Sequence, residues 1–281
     1  MVKRSKKQKA RRNGFFSLLI YIFKTIRFIL KIPFYIANWI YKAVKFGKRK
    51  IEEKKIDDKR KSIRAEFDDF VVVKKIAGDY ERWKKIAFKS ESKIGIIIGA
   101  RGSGKTAFGL KFLENAYAQT SKKCYAIGFH KEEFPTWINV VDSINEITND
   151  SFVLIDEGGI LFSSRRSMSQ ANKLLSELIL IARHKNLNIL FISQNSSNLE
   201  VNVLRQADFL VLKPSSLLQR EFERKIVEKL YEKTQKQFDE FKDKTGISYI
   251  YSSDFEGFVT NDLPSFWKKS ISKSFSDKKG K

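Results

Sequence analysis

Five stretches of this chain are apolar at consecutive rather than alternate positions: Ile94–Ile98, Cys124–Phe129, Phe152–Ile155, Ile189–Ser193 and Phe209–Leu212. Runs of that length and density predict strands buried on both faces, as in a parallel sheet. Between them lie segments of helical period, among them Ala107–Ala118 and Ala171–Arg183. Strand and helix in alternation predict an α/β fold, a mostly parallel sheet with helices on both faces. In such sheets ligands bind at the carboxyl ends of the strands, and Gly99, Asp156 and Gln194 all emerge there. Beyond this core the pattern predicts a charged helix over Gln219–Phe241, a strand pair at Ile247–Tyr251 and Gly257–Thr260, and an aromatic Pro264-Ser265-Phe266-Trp267 with no chemistry attached. The polar tail from Ser270 reads as disordered. Val71-Val72-Val73 reads as a short lead-in to the core.

The chemistry begins where the first buried strand ends. Gly99-Ala100-Arg101-Gly102-Ser103-Gly104-Lys105-Thr106 fits the phosphate-binding pattern G-x-x-x-x-G-K-[ST] at every position. The glycines let the backbone curl so that its N–H groups face phosphate oxygens. Lys105 adds a mobile positive charge, and Thr106 offers a hydroxyl to Mg²⁺ at a helix N-terminus. A dinucleotide-type match, Gly102-x-Gly104-x-x-Ala107, overlaps it but leaves Lys105-Thr106 unexplained. The strand Phe152–Ile155 then delivers Asp156 and Glu157 at its carboxyl end. This has the form of a Walker B element, in which Asp156 holds Mg²⁺ or its waters and Glu157 polarises the attacking water. A GTPase would carry a base-reading N-K-x-D; Asn172-Lys173-Leu174-Leu175 lacks the aspartate, so ATP is the expected nucleotide.

Charge divides the chain unevenly. The formal net charge is +23, from 55 Lys and Arg against 32 Asp and Glu. Residues 1–51 hold 15 of the basic side chains and no acid, which leaves +8 on the other 230 residues. Within Gly14–Phe46 the polar residues Lys24, Arg27, Lys31, Asn38, Lys42 and Lys45 recur 3, 4, 7, 4 and 3 positions apart, drawing one stripe along a helix opposite a broad apolar face. That profile suits a helix lying in a membrane interface on the cytoplasmic side, with Tyr21, Tyr35, Trp39 and Tyr41 at headgroup level. A span of snorkelling lysines and a helix docked on a partner protein are the alternatives. No small-residue cleavage site follows Phe23, and Pro33 divides the segment. The single cysteine, Cys124, excludes an intrachain disulfide framework. The expected organisation is a basic arm (1–50), a helical linker (51–92), the core (93–214) and an extension (215–281).

The core resembles the additional-strand P-loop ATPases of the HerA/FtsK motor superfamily, and within it the Zot-like (zonula occludens toxin-like) ATPases. Gly99–Thr106, Leu154-Ile155-Asp156-Glu157-Gly158-Gly159 and Arg183-His184-Lys185-Asn186-Leu187-Asn188-Ile189-Leu190-Phe191-Ile192-Ser193-Gln194-Asn195 carry this resemblance, over about residues 93–215. It implies that the strand ending in Gln194 lies between the two motif strands and that Gln194 senses the γ-phosphate or the attacking water. It also implies ring-shaped homo-oligomers in which a neighbour's arginine completes the site. Arg183 is the first candidate for that arginine, with Arg165 and Arg166 next. Zot-like phage proteins place their membrane segment after the core, whereas here the candidate precedes it, an order nearer to membrane-anchored DNA pumps. The resulting expectation is a membrane-associated ATPase that moves DNA or a nucleoprotein in virus morphogenesis, packaging or conjugative transfer. The competing class is an assembly protein whose loop serves as a nucleotide-dependent switch, and a nucleic-acid-binding module ranks below both.

Overall fold

The computed structural model describes residues 21, 27, 33, 35, 38–89, 91–157 and 168–271. They fall into two compact units divided between Asp58 and Lys59. The first is described chiefly by helix α1 (38–62), whose residues up to Asp58 belong to this unit. Trp39, Tyr41, Val44, Phe46 and Ile51 stand exposed along it. No helix among the described residues is long and apolar enough to cross a membrane. The basic tail and most of the segment expected to lie in an interface fall outside the described residues.

The second unit runs in the order β1 (Val71–Gly78), α2 (Tyr80–Lys89), β2 (Ile94–Ile98), α3 (Lys105–Thr120), β3 (Lys123–Ile127), β4 (Ile138–Val140) and β5 (Ser151–Asp156). It continues through α4 (Met168–Lys185), β6 (Leu187–Ser193), α5 (Val201–Arg205), β7 (Phe209–Leu212), α6 (Leu217–Glu221), α7 (Lys225–Glu240), β8 (Ser248–Ser252) and β9 (Phe255–Thr260). The strands form one nine-stranded sheet in the order β1-β9-β8-β7-β2-β6-β5-β3-β4. From β7 to β4 neighbours are parallel; β8, β9 and β1 add an antiparallel wing.

Both faces of the central strands are covered, which explains their unbroken apolar runs. Ile96, Ile98, Val153, Ile155, Ile189 and Phe191 pack on α4 and α7 through Leu178, Ala182, Val227 and Tyr231. The intervening Ile97, Phe152, Leu154, Leu190 and Ile192 pack on α2 and α3 through Trp83, Phe88, Phe108 and Phe112. Removing one such side chain to alanine costs about 2–5 kcal/mol.

The expected boundaries at 50/51, 92/93 and 214/215 do not coincide with the division at 58/59. The stretch read as a linker contributes β1 and α2 to the compact unit, and the extension contributes α6, α7, β8 and β9 to the same unit. Three segments are tied together at Glu114, buried in α3. It accepts hydrogen bonds from the backbone N–H of Glu66 (3.3 Å), from Ser265 N–H (3.1 Å) and from the Ser265 hydroxyl. The buried Lys111 ammonium lies 3.3 Å from both Glu114 and Asp68.

Candidate functional site

The register of three adjacent strands assembles the site. Ile98 of β2 lies beside Ser193 of β6, and Asp156 of β5 beside Ile192, so Gly99, Asp156 and Gln194 leave one carboxyl edge side by side. The strand ending in Gln194 does lie between the strands that precede Gly99 and Glu157.

The phosphate loop is shaped by its glycines in two ways. Gly102 and Gly104 hold φ of +79° and +88°, the left-handed region that side chains with a β-carbon disfavour. Gly99 is needed for space, because a β-carbon there would lie 2.6 Å from Lys213 Cβ and 2.9 Å from Ser103 Oγ. Gly104 caps α3, whose first-turn N–H groups therefore face the loop with no acidic side chain nearby in that turn to compete for them. Lys105 Nζ folds back onto the loop, donating to the carbonyls of Gly99 and Ala100 at 2.8 Å each. Burial lowers its pKa to about 8, against the opposing pull of Asp156, Glu157 and Glu223. An ammonium resting on two backbone carbonyls can exchange them for phosphate oxygens without moving far.

Glu157 is buried beside this lysine. Ser193 Oγ lies 2.6 Å from Glu157 Oε2, and the Gln194 backbone and the Asn198 side chain also hydrogen-bond this carboxylate. Burial raises its pKa most, with the charge of Asp156 adding, while hydrogen bonds from Ser193 and the Gln194 backbone oppose the rise. Thr106 and Asp156 are half-buried at the same edge. Among the described residues no group of three or more metal-ligating side chains occurs. A hydroxyl and a carboxylate nonetheless fit Mg²⁺ delivered with a nucleotide, since the phosphates and water supply its other ligands.

Gln194 exposes its side chain, and its backbone is gripped from below. Its carbonyl accepts from Gln219 Nε2 at 2.6 Å. Buried Glu223 takes the Ser196 N–H (2.6 Å) and the Ser196 hydroxyl, while Arg224 Nε donates to Ser196 O (3.1 Å) and Arg224 Nη2 to Leu199 O. Sequence reasoning missed Ser193, Glu223, Arg224 and Lys213. Ser193 and Lys213 each end or follow a buried strand at the nucleotide edge, a positional signal that was available. Glu223 and Arg224 had none, being brought in by the turn between two helices.

Arg183 is not brought to this edge. It ends α4, just before β6 begins, beside Glu91, Lys93, Ile179 and Asp208 at the opposite edge of the sheet. From there it cannot reach its own subunit's phosphate loop. Arg165 and Arg166 lie outside the described residues, as do Gly158 and Gly159.

The glycine-shaped loop, the β5 carboxylates and the strand order define a P-loop NTPase core. The family model for Zonular occludens toxin (Zot) matches residues 107–213, so this part of the chain is similar to that family. No curated protein matches the chain. Among solved structures, the DNA-packaging ATPase B204 of Sulfolobus turreted icosahedral virus is 16% identical, aligning over 61% of this chain and 98% of its own at a TM-score of 0.43. The genome-packaging NTPase B204 of Sulfolobus turreted icosahedral virus 2, bound to AMPPCP, is also 16% identical, over the same shares at a TM-score of 0.42. The pCW3 conjugation coupling protein TcpA with ATPγS is 13% identical over 66% of this chain and 64% of its own, at 0.43.

Proposed function

We propose that this chain is an ATP-hydrolysing motor that acts on DNA or a nucleoprotein, works as a homo-oligomeric ring and associates with the cytoplasmic face of a membrane through its basic arm. The observation that carries the ATPase reading is the convergence of Lys105, Asp156, Glu157 and Gln194 at one edge. In this reading residues 99–106 cradle the β- and γ-phosphates, Lys105 leaves its two carbonyls for them, and Thr106 with Asp156 holds Mg²⁺, which neutralises phosphate charge. Glu157 accepts a proton from water, and Gln194 senses the γ-phosphate or the attacking water. A nucleotide switch without turnover has no use for a carboxylate held buried beside the phosphate-loop lysine, which favours hydrolysis over that alternative.

The ring is supported by two features. Leu217, Leu218, Phe222 and Ile226, within ten residues of one another in the segment that hydrogen-bonds the loop after Gln194, are all exposed apolar side chains. Arg183 sits at the edge away from its own nucleotide, so any part it takes in hydrolysis would be at a neighbour's site. The full chain with Mg²⁺ should release phosphate from ATP with a rate that rises faster than linearly with protein concentration. Lys105→Ala and Arg183→Ala, each inactive alone, should regain activity when mixed, because each supplies what the other lacks. Mixtures that stay inactive at every ratio, while both variants still assemble, would remove Arg183 from the role and pass the test to Arg165 and Arg166.

The membrane reading draws on the polar stripe through Gly14–Phe46 and on the exposed Trp39, Tyr41, Val44 and Phe46 of α1. The full chain should float with anionic vesicles and be released by alkaline carbonate, as an interfacial helix would be, and deletion of residues 1–50 should abolish flotation. Full-length protein that stays entirely in the soluble fraction with such vesicles rules the reading out.

A further inference from the structure

Lys213 is the most deeply buried cation of the molecule's nucleotide edge, with no exposed surface at all. It follows β7, the strand next to β2, and its backbone is fixed by its N–H donating to Ile98 O (2.8 Å) and its carbonyl accepting from Tyr231 Oη (3.1 Å). Its side chain runs along the phosphate loop. The β-carbon fills the space that Gly99 leaves, and Nζ lies 3.8 Å from where a Gly104 β-carbon would stand. Beyond the loop, Nζ meets three acceptors: Gly246 O at 2.8 Å, Ile247 O at 3.3 Å and Asn261 Oδ1 at 3.5 Å.

Three acceptors match the three hydrogens of an ammonium. A neutral amine would donate two and turn its lone pair on the third oxygen. The pocket is therefore built for the charged form, yet no carboxylate among the described residues pairs with it. An ammonium this deep without a counter-charge is unfavourable, and burial, with Lys105 adding to it, lowers its pKa to about 7. The groups that hold it come from the residues just before β8 and just after β9, the part of the chain that carries no motif. The acceptors of Nζ are all neutral oxygens, and a nucleotide polyphosphate seated on the loop is the ligand that would bring negative charge towards this ammonium.

We propose that Lys213 is a second cation of the phosphate site, placed behind the loop instead of in front of it, and that the β8–β9 segment holds its charge there. It touches the loop and not the phosphates, so it is a positioning residue acting through the field at the loop and through the space it fills under Gly99. The inference rests on the reading of residues 99–106 as a nucleotide site.

The test is a ladder of ligand charge. ATP, ADP and AMP are titrated into the full chain and into Lys213→Met, which keeps the aliphatic stem and removes the charge. Loss of a buried charge this close should weaken ATP by about tenfold or more, ADP by less and AMP least, since the interaction scales with ligand charge. Asn261→Asp gives a second reading if Lys213→Met does not fold: a carboxylate opposite Nζ neutralises the cation with the lysine still in place, and the same graded loss should appear. Equal weakening for all three nucleotides would mean that Lys213 only props the loop, and unchanged affinities would mean that its charge does nothing; either overturns the proposal. If the parent chain itself binds no ATP, the reading of the site has failed instead, an outcome distinct from both.

Discussion

Glu157→Gln should bind ATP as tightly as the parent and turn it over about 10²–10⁴-fold more slowly, the range a positioned general base contributes. The substitution keeps the shape of the side chain and its hydrogen bond with Ser193, so the loop and Lys105 are undisturbed. What it removes is the ability of a carboxylate to take a proton. Lys105→Ala should fail one step earlier, losing phosphate contact and with it the affinity for ATP. Two pH readouts separate a base from a structural glutamate. Burial raises the pKa of Glu157, so the acid limb of turnover should lie above the ordinary glutamate range and vanish in Glu157→Gln. For stability the sign is opposite. A raised pKa in the folded state means that the protonated carboxyl favours folding at low pH and that this contribution is lost as pH rises through the folded pKa. Glu157→Gln should therefore melt higher than the parent at pH 8, with the gap closing in acid. Parental turnover in Glu157→Gln would remove the carboxylate from the chemistry.

How much of this was legible in the chain follows from what each element faces. β2, β5, β6 and β7 are buried on both sides, and an unbroken apolar run is the direct imprint of that. β1 left no such imprint: most of its residues are exposed, Lys74 and Lys75 interrupt it, and its register with β9 slips twice, so only Val71–Val73 looked like structure. The three-residue β4 is too short for any periodicity. The helix expected over Gln219–Phe241 breaks at 222–224 because Glu223 turns inward to take Ser196, and Arg224 adopts an extended conformation before α7. That break is imposed by a partner 27 residues away and is invisible locally. At the site, the loop and the β5 carboxylates could be read because their spacing along the chain sets their geometry. Arg183 could not be placed, since adjacency to a strand says nothing about which end of that strand meets the nucleotide. Lys213 escaped because a lysine after an apolar run reads as the strand's exit into solvent, and here the β8–β9 segment closes over it.

The same dependence of the core on its flanks predicts that Glu114→Ala is among the most damaging changes in the chain, lowering stability by about 3–5 kcal/mol. Truncation leaves the buried Lys111 with Asp68 as its remaining carboxylate, and Asp68 is itself exposed. It also strips the acceptor from Glu66 N–H and from Ser265 N–H, and leaves the Ser265 hydroxyl only the longer contact to Arg64 O (3.4 Å), so residues on either side of the core are loosened together. For a unit of this size the melting temperature should fall by about 10 °C. Lys111→Met combined with Glu114→Leu separates the two contributions. It removes the stranded charge and fills the volume but restores no acceptor, so it should recover part of the loss and leave the share owed to Glu66 and Ser265. Because α3 begins at Lys105, loosening its far half should also weaken ATP binding, in the single variant more than in the double. If Glu114→Ala melts within 2 °C of the parent, on the order of 1 kcal/mol or less, then Glu114 is not what holds residues 59–70 and 261–271 to the helix, and the two hydrogen bonds of Asn115 with Asp68 and the packing of Phe70 and Phe266 hold them instead.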